Sequence, residues 1–133
     1  MTAFVEVTAG VIVRDQQVLV CQRALDAKHH PGKWEFPGGK LEPGESLRDC
    51  LRRELEEELG IVAEIGPVLA TTQHHYAGRG RVEITFFRVD RFAGVPTNRI
   101  FAEVRWVTVA DLPALDFLEA DREFVGRLAR GEC

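Results

Sequence analysis

The segment Gly39-Lys40-Leu41-Glu42-Pro43-Gly44-Glu45-Ser46-Leu47-Arg48-Asp49-Cys50-Leu51-Arg52-Arg53-Glu54-Leu55-Glu56-Glu57-Glu58-Leu59-Gly60-Ile61 decides how the chain is read. Ser46 suits a helix N-cap, Asp49 falls in the first turn after it, and Gly60 is a natural stop. The spacing therefore predicts a helix from Ser46 to about Leu59. Wound at about 100° per residue, it places Leu47, Cys50 and Leu51 on its inward face. A solvated helix carries its acids on the opposite side. Asp49 and Glu56 obey that rule. Glu58 falls instead between Leu47 and Leu51, Glu54 between Cys50 and Leu47, and Glu57 near Cys50. Carboxylates at i, i+3 and i+4 are neighbours on one face, which is expected to be at least partly buried.

Like charges gathered on an apolar face are costly unless something neutralises them. A hard divalent cation does so, because magnesium and manganese prefer carboxylate oxygens. The competing reading is an ordinary acidic run on a wet helix. The preceding stretch favours the cation. Gly38–Gly39 permits close approach of the backbone to a ligand or ion. Pro37 to Glu45 is dense in glycine and proline and predicts a loop throughout.

Upstream, Phe4 to Val13 and Val18 to Cys21 are rich in Val and Ile, and predict two strands joined by a turn at Asp15–Gln16–Gln17. Arg23 to Lys33, with Pro31–Gly32, predicts a loop, and Trp34 to Phe36 a short strand. Downstream, Ile61 to His75 predicts strand, Ala77 to Gly80 a turn, and Arg81 to Phe92 further strand. A loop at Gly94 to Asn98 precedes a short strand at Val104 to Val107. A helical region beginning at Asp111 or Asp116 reaches about Arg130. No linker or repeat interrupts this order, which predicts one α/β domain of helices on a sheet.

The 133 residues are 45% hydrophobic and 29% charged, enough for a hydrophobic core. The net charge of −4 argues against a protein that holds duplex nucleic acid, which needs a basic surface. An acidic site still binds a polyphosphate when a divalent cation lies between them. Cys21, Cys50 and Cys133 are odd in number and far apart, so reduced cysteines are expected rather than a disulfide framework. Met1 to Val7 lacks the pattern of a secretory signal, and no stretch is long enough to span a membrane. A cytoplasmic enzyme without a membrane partner is expected. Nothing in the sequence sets an oligomeric state.

Gly39-x5-Glu45-x7-Arg53-Glu54-Leu55-x-Glu57-Glu58-x-Gly60-Ile61 resembles a complete Nudix box. Trp34-Glu35-Phe36-Pro37-Gly38-Gly39-Lys40, the strand-rich opening and the C-terminal helix resemble the MutT branch, the nucleoside triphosphate pyrophosphohydrolases. The resemblance implies an α/β Nudix fold over residues 1–133, a mixed β-sheet sandwiched between helices. It implies Mg²⁺, with Mn²⁺ as a substitute, and hydrolysis to a nucleoside monophosphate and pyrophosphate.

By the same resemblance Glu54, Glu57 and Glu58 are metal ligands, joined by the Gly38 carbonyl. Arg53 orients the glutamates, and Glu45 stabilises the loop, with a place in the metal shell as a further role. Glu54 and Glu103 compete for the role of base, Glu103 being also an added metal ligand or else a solvated strand-edge acid. Arg23, Phe36, Gly39, Lys40, Arg81 and Asp121 are the substrate-binding candidates, with surface, core and capping roles as the alternatives for Arg23, Phe36 and Asp121. Asp121 aligns loosely with a residue that reads a purine edge, often Asn. An ionised Asp accepts hydrogen bonds but donates none, which argues against selection of 8-oxoguanine.

His74–His75–Tyr76 suits stacking or a wet surface better than a metal, because strand neighbours face opposite ways. His29–His30 is expected to be solvated. The substrate readings are 8-oxo-dGTP or dGTP in nucleotide-pool sanitation, or a CTP-type nucleotide. Alternatives are ADP-ribose or a dinucleoside polyphosphate, and, in another class, a silent nucleotide-sensing module.

Overall fold

The structure is a computed structural model that describes residues 4–76 and 80–133. In chain order the elements are β1 (Val5–Arg14), β2 (Gln17–Gln22), β3 (Trp34–Glu35), β4 (Gly38–Lys40), α1 (Leu47–Leu59), β5 (Val62–Glu64), β6 (Val68–Tyr76), β7 (Gly80–Val89), β8 (Arg91–Ala93), β9 (Glu103–Thr108) and α2 (Arg122–Ala129). The main sheet has the order β3-β2-β1-β7-β6, with β4 also on β1 and β9 also on β2. β1 and β7 run parallel and the other pairs antiparallel, so the sheet is mixed. No described helix is long and apolar enough to cross a membrane.

The apolar runs of the strands explain the sandwich. Successive strand side chains face opposite ways, so a strand covered on both faces is apolar without interruption. Val11, Val18, Val20, Ile84 and Phe86 join one core with Phe117, Phe124 and Leu128. Their neighbours Ile12, Leu19, Phe87 and Val89 join the other, with Leu51, Leu55, Leu59 and Ile61. Phe86 stacks on Phe124 of α2 with ring centroids 4.0 Å apart. Full burial of each such side chain stabilises the fold by about 1.5–3 kcal/mol. The sheet is thus clamped between α1 and the C-terminal helical segment, as the Nudix resemblance implies.

Five boundaries differ from the sequence reading. The Pro37–Glu45 stretch is not loop throughout: Gly38, Gly39 and Lys40 pair with Ala9, Thr8 and Val7 of β1. Glycine is a poor strand former in general, but here an added Cβ at Gly38 would lie 2.0 Å from the Thr8 carbonyl oxygen, so only a bare backbone docks. The Ile61–His75 strand breaks after Glu64, and the Arg81–Phe92 strand breaks at Asp90. β5 and β8 leave the main sheet and form their own two-stranded ribbon, with Ala63 and Phe92 packed on the α1 core. At the C-terminus, Val109–Ala114 and Glu119–Asp121 are 3₁₀ turns and only Arg122–Ala129 is α-helix. Asp111 lies inside the first turn and Asp116 between the two; Pro113 disrupts any continuous helix there. The turn between Asp15 and Gln16 is a tight two-residue connection with positive φ at both, and Gln17 already belongs to β2. The expected turn at Ala77–Gly80 lies, apart from Gly80, outside the described residues.

Candidate active site

α1 forms where its signals place it. The Ser46 Oγ accepts from the Asp49 N–H at 3.1 Å, and Gly60 at φ 68° donates back to the Glu56 carbonyl. Cys50, Leu51, Leu55 and Leu59 dock it on the sheet. A second stripe, Cys50–Glu54–Glu58, runs along β4. The Cys50 Sγ faces the Gly39 carbonyl, and the Gly38 N–H donates to Glu58 Oε1 at 3.2 Å. The Glu54 carboxyl lies so close over Gly39 that a Cβ there would be 2.4 Å from it.

Glu58 is 9% exposed and the Glu54 side chain 16%, as the inward-face argument predicts. Glu57 departs from it, with a side chain 59% exposed. On the wheel Glu57 stands at about −20° from Cys50, on the far side from the Leu51–Leu55–Leu59 stripe that is buried. Cys50 marks the edge of the inward face rather than its centre.

Arg53 ties the loop to the helix. Its Nε and Nη2 donate to both oxygens of Glu45 at 3.1 and 2.7 Å. Its Nη1 donates to Glu54 at 2.8 Å and to Glu57 at 3.3 Å, and Nη2 reaches the Lys40 carbonyl. The bidentate pairing gives fixed geometry as well as attraction. Hydrogen bonds from Arg53 and from the Glu42 N–H hold the Glu45 carboxyl down to about 2.

Glu58 is driven the other way, up to about 9, by burial and then by the charges of Glu54 and Glu35. Two adjacent, partly buried carboxylates against a glycine backbone are hard oxygen donors in need of positive charge, which fits Mg²⁺ or Mn²⁺. Among the described residues no three acidic, His or Cys side chains already converge on one point, since Glu57 turns toward Arg53 and solvent.

Beside Glu58 opens a cavity of about 370 Å³. Arg23, Phe36, Gly38, Gly39 and Asp121, named from sequence, all line it. Phe36 is also core, its ring 5.3 Å from Phe117 and 5.9 Å from Phe86, so both readings of it hold. Lys40 and Arg81 are not brought there. Lys40 is exposed beside the Glu42–Glu45 turn, and Arg81 lies over the Phe4 ring. Glu103 is held on β9, paired with Arg105 at 2.8 Å, and faces a separate hollow with Leu19 and Trp106. The residues just before it, Ile100 and Phe101, reach the cavity instead.

Asp121 is 4% exposed and makes no capping hydrogen bond to α2, so the capping role does not describe it. Burial, helped by the Glu35 charge, pushes its carboxyl up to about 8. That shift favours the neutral acid, which donates as well as accepts, over the ionised form expected from the sequence. Glu35 was not foreseen. It also lines the cavity, 3.4 Å from Arg23, and burial lifts it to about 7 against the pull of that guanidinium. It lies in the Trp34–Lys40 stretch that resembles the MutT branch, but its role is not marked there; the register Cys21↔Glu35 that sets it beside Arg23 exists only in the folded sheet. His75 is exposed and His74 half-buried against Tyr76, in keeping with opposite faces. His30 is half-buried with its ring 4.8 Å from Tyr76, and is not the solvated side chain expected of a loop.

The family model described as NUDIX domain matches residues 5–128, and the chain belongs to the Nudix family. Within it, the chain is a MutT-like Nudix hydrolase. A Mycobacterium tuberculosis (strain H37Rv) protein provisionally named 8-oxo-dGTP diphosphatase 2 is 40% identical over 124 residues, covering 93% of this chain and 87% of its own. The CTP pyrophosphohydrolase of Escherichia coli (strain K12) is 48% identical over 75 residues, 56% of this chain and 55% of that protein. The solution structure of the E. coli ORF135 protein superposes with a TM-score of 0.84 at 34% identity, covering 94% of this chain and 88% of that one.

Proposed function

We propose that the protein hydrolyses a nucleoside triphosphate to the monophosphate and pyrophosphate in the cytoplasm, with Mg²⁺ held by Glu54, Glu57, Glu58 and the Gly38 carbonyl. The observation that carries this reading is that Glu58 at the cavity wall meets the Gly38 backbone while Glu54 lies over Gly39 beside it. A bound Mg²⁺ supplies charge neutralisation of the phosphate oxygens and a more acidic water. The chain's own groups do the rest. Arg53 fixes Glu54 and anchors the loop through Glu45. Glu54 accepts the proton of the attacking water; its place over Gly39 favours it above Glu103, which lies in another hollow. Arg23 meets phosphate or base at the cavity wall, and Phe36 forms its apolar floor.

The base is read by Asp121. A neutral carboxylic acid offers one donor and one acceptor side by side. Cytosine presents the complement at N3 and N4, and so does 8-oxoguanine at O6 and N7; unmodified guanine presents two acceptors at that edge. This supports CTP-type or 8-oxo-dGTP substrates over dGTP. The names of the two relatives point to the same pair of bases.

Asp121→Asn keeps both functions without titrating, so kcat/KM at pH 7 is expected to stay within about threefold, whereas Asp121→Ala loses about 30-fold by leaving the base edge unpaired. The wild-type enzyme loses kcat/KM as pH rises through about 8, and the Asn variant does not. A wild-type profile unchanged by Asp121→Asn above pH 8 would remove Asp121 from base reading.

The test of the whole reading is pyrophosphate release from 8-oxo-dGTP, dGTP, CTP, dCTP and ATP, with and without Mg²⁺, and AMP release from ADP-ribose. Metal-dependent release from CTP-type or 8-oxo-dGTP substrates is expected. A folded protein inert on every member would favour the nucleotide-sensing module.

A further inference from the structure

α1 ends badly by the rules for an isolated helix. Its last turn carries Glu56, Glu57 and Glu58 and no basic residue, so negative side chains sit on the negative end of the helix dipole. Its last carbonyls also lack partners within the helix. The supply comes from forty residues further along the chain (Glu56 to Arg99 is a separation of 43). The Thr97 N–H donates to the Leu59 carbonyl at 2.8 Å and the Arg99 N–H to the Glu58 carbonyl at 3.3 Å. The Arg99 guanidinium donates to the Glu56 carbonyl at 3.0 Å. It also lies over Gly60, where a Cβ would stand 2.7 Å from its Nη2, so the glycine at the helix end leaves room for this cation as well as for its positive φ.

The same segment is internally braced. The Asn98 side chain donates to the Phe101 carbonyl and accepts from the Phe101 N–H, both at 2.8 Å. Ile100 and Phe101 of this segment line the same cavity as Glu58. One short strap therefore holds the end of the glutamate helix and a wall of the nucleotide cavity.

We propose that Arg99 is a positioning residue: it supplies from a distant segment of the chain the C-terminal cation that α1 lacks, and thereby fixes the turn carrying Glu57 and Glu58 relative to the cavity wall at Ile100–Phe101. This role rests on the metal-binding reading of those two glutamates.

The test compares wild type, Arg99→Ala, Arg99→Gln and Arg99→Lys, with Arg91→Ala as control. Arg91 is exposed on β8 and lines neither the cavity beside Glu58 nor the hollow that Arg99 shares with Glu57. Backbone amide exchange at Leu59 and Gly60 is read by NMR in EDTA, and MnCl₂ binding is read by calorimetry without nucleotide. Arg99→Ala should speed exchange at those amides about fivefold. It should also weaken Mn²⁺ binding about tenfold. Arg99→Lys should recover most of both losses and Arg99→Gln little, because charge rather than a donor alone is needed. Should the alanine variant fail to fold, the Lys and Gln pair carries the comparison. Faster exchange with unchanged Mn²⁺ affinity would overturn the positioning role and leave a plain structural cap. Unchanged exchange in the alanine and glutamine variants would overturn the cap itself. A wild-type protein that binds no Mn²⁺ would overturn the metal reading, independently of the exchange result.

Discussion

Glu58→Gln is expected to lower kcat by about 10³-fold or more while leaving the metal-free protein folded. The loss follows from removing an oxygen donor at the cavity wall, the partner of Glu54 in the proposed metal site. The retained fold follows from shape: the Gln carbonyl still accepts from the Gly38 N–H, and the side chain stays where it packs. The substitution should also change how stability depends on pH. Folded, Glu58 keeps its proton up to about pH 9; unfolded, it releases it near its ordinary 4.5. The stabilisation that this proton gives is complete below pH 4.5 and is lost as pH rises through 9. Glu35, lifted to about 7, and Asp121, lifted to about 8, act in the same direction. The metal-free protein should therefore melt higher at pH 5 than at pH 9. Glu58→Gln should flatten that slope and raise the melting temperature above pH 5. Melting curves in EDTA at pH 5, 7 and 9 check the slope, and pyrophosphate release with Mg²⁺ checks the rate. A Gln variant within tenfold of the parent kcat would take Glu58 out of the metal site.

The neighbouring glycines should fail in different ways. At Gly38 an added Cβ meets backbone, the Thr8 carbonyl oxygen at 2.0 Å, and the φ of 157° is one that side chains resist. β4 must lift from β1 to make room, at a cost of at least about 3 kcal/mol. That is a large part of a typical domain stability of about 5–15 kcal/mol. At Gly39 the added Cβ meets the Glu54 carboxylate, the far end of a flexible side chain. Glu54 swings aside at small cost to the fold, but its oxygens leave their place. Gly39→Ala should thus unfold within about 1 kcal/mol of the parent and lose about 10²-fold in kcat, since misplacement of about 1 Å suffices for such a loss. Urea denaturation and steady-state rates on the two variants separate the cases. Parent stability for Gly38→Ala would refute the tight β4–β1 docking. Parent activity for Gly39→Ala would refute the placement of Glu54.

Much of the site lies in one continuous stretch, which is why it was legible. Cap, stop and acid spacing act over a few residues, so Ser46, Gly60 and the Glu54–Glu58 pair fall where local rules put them. The misreadings have a common origin in contacts between distant segments. Gly38–Lys40 became a strand because β1 offered an edge that only glycine could approach. Glu57 turned outward because the leucine stripe, and not Cys50, sets the helix orientation. Glu103 stayed on β9 with Arg105 because its register with Gln22 fixes it there, while the strap before it carried Ile100 and Phe101 inward.

By itself the sequence determined the glutamate helix and its loop, the two-sided apolar strands, and hence the family and the class of chemistry. Each rests on interactions within a turn of helix or along a single strand, and such interactions are written in neighbouring residues. Only the tertiary structure decided that Glu35, Asp121 and Glu58 share one cavity, that burial raises the Asp121 carboxyl toward its neutral form, and that Arg99 reaches the end of α1. Those outcomes depend on burial and on charge between segments far apart in the chain. Desolvation and charge–charge interaction are properties of the folded surroundings, and no local pattern encodes them.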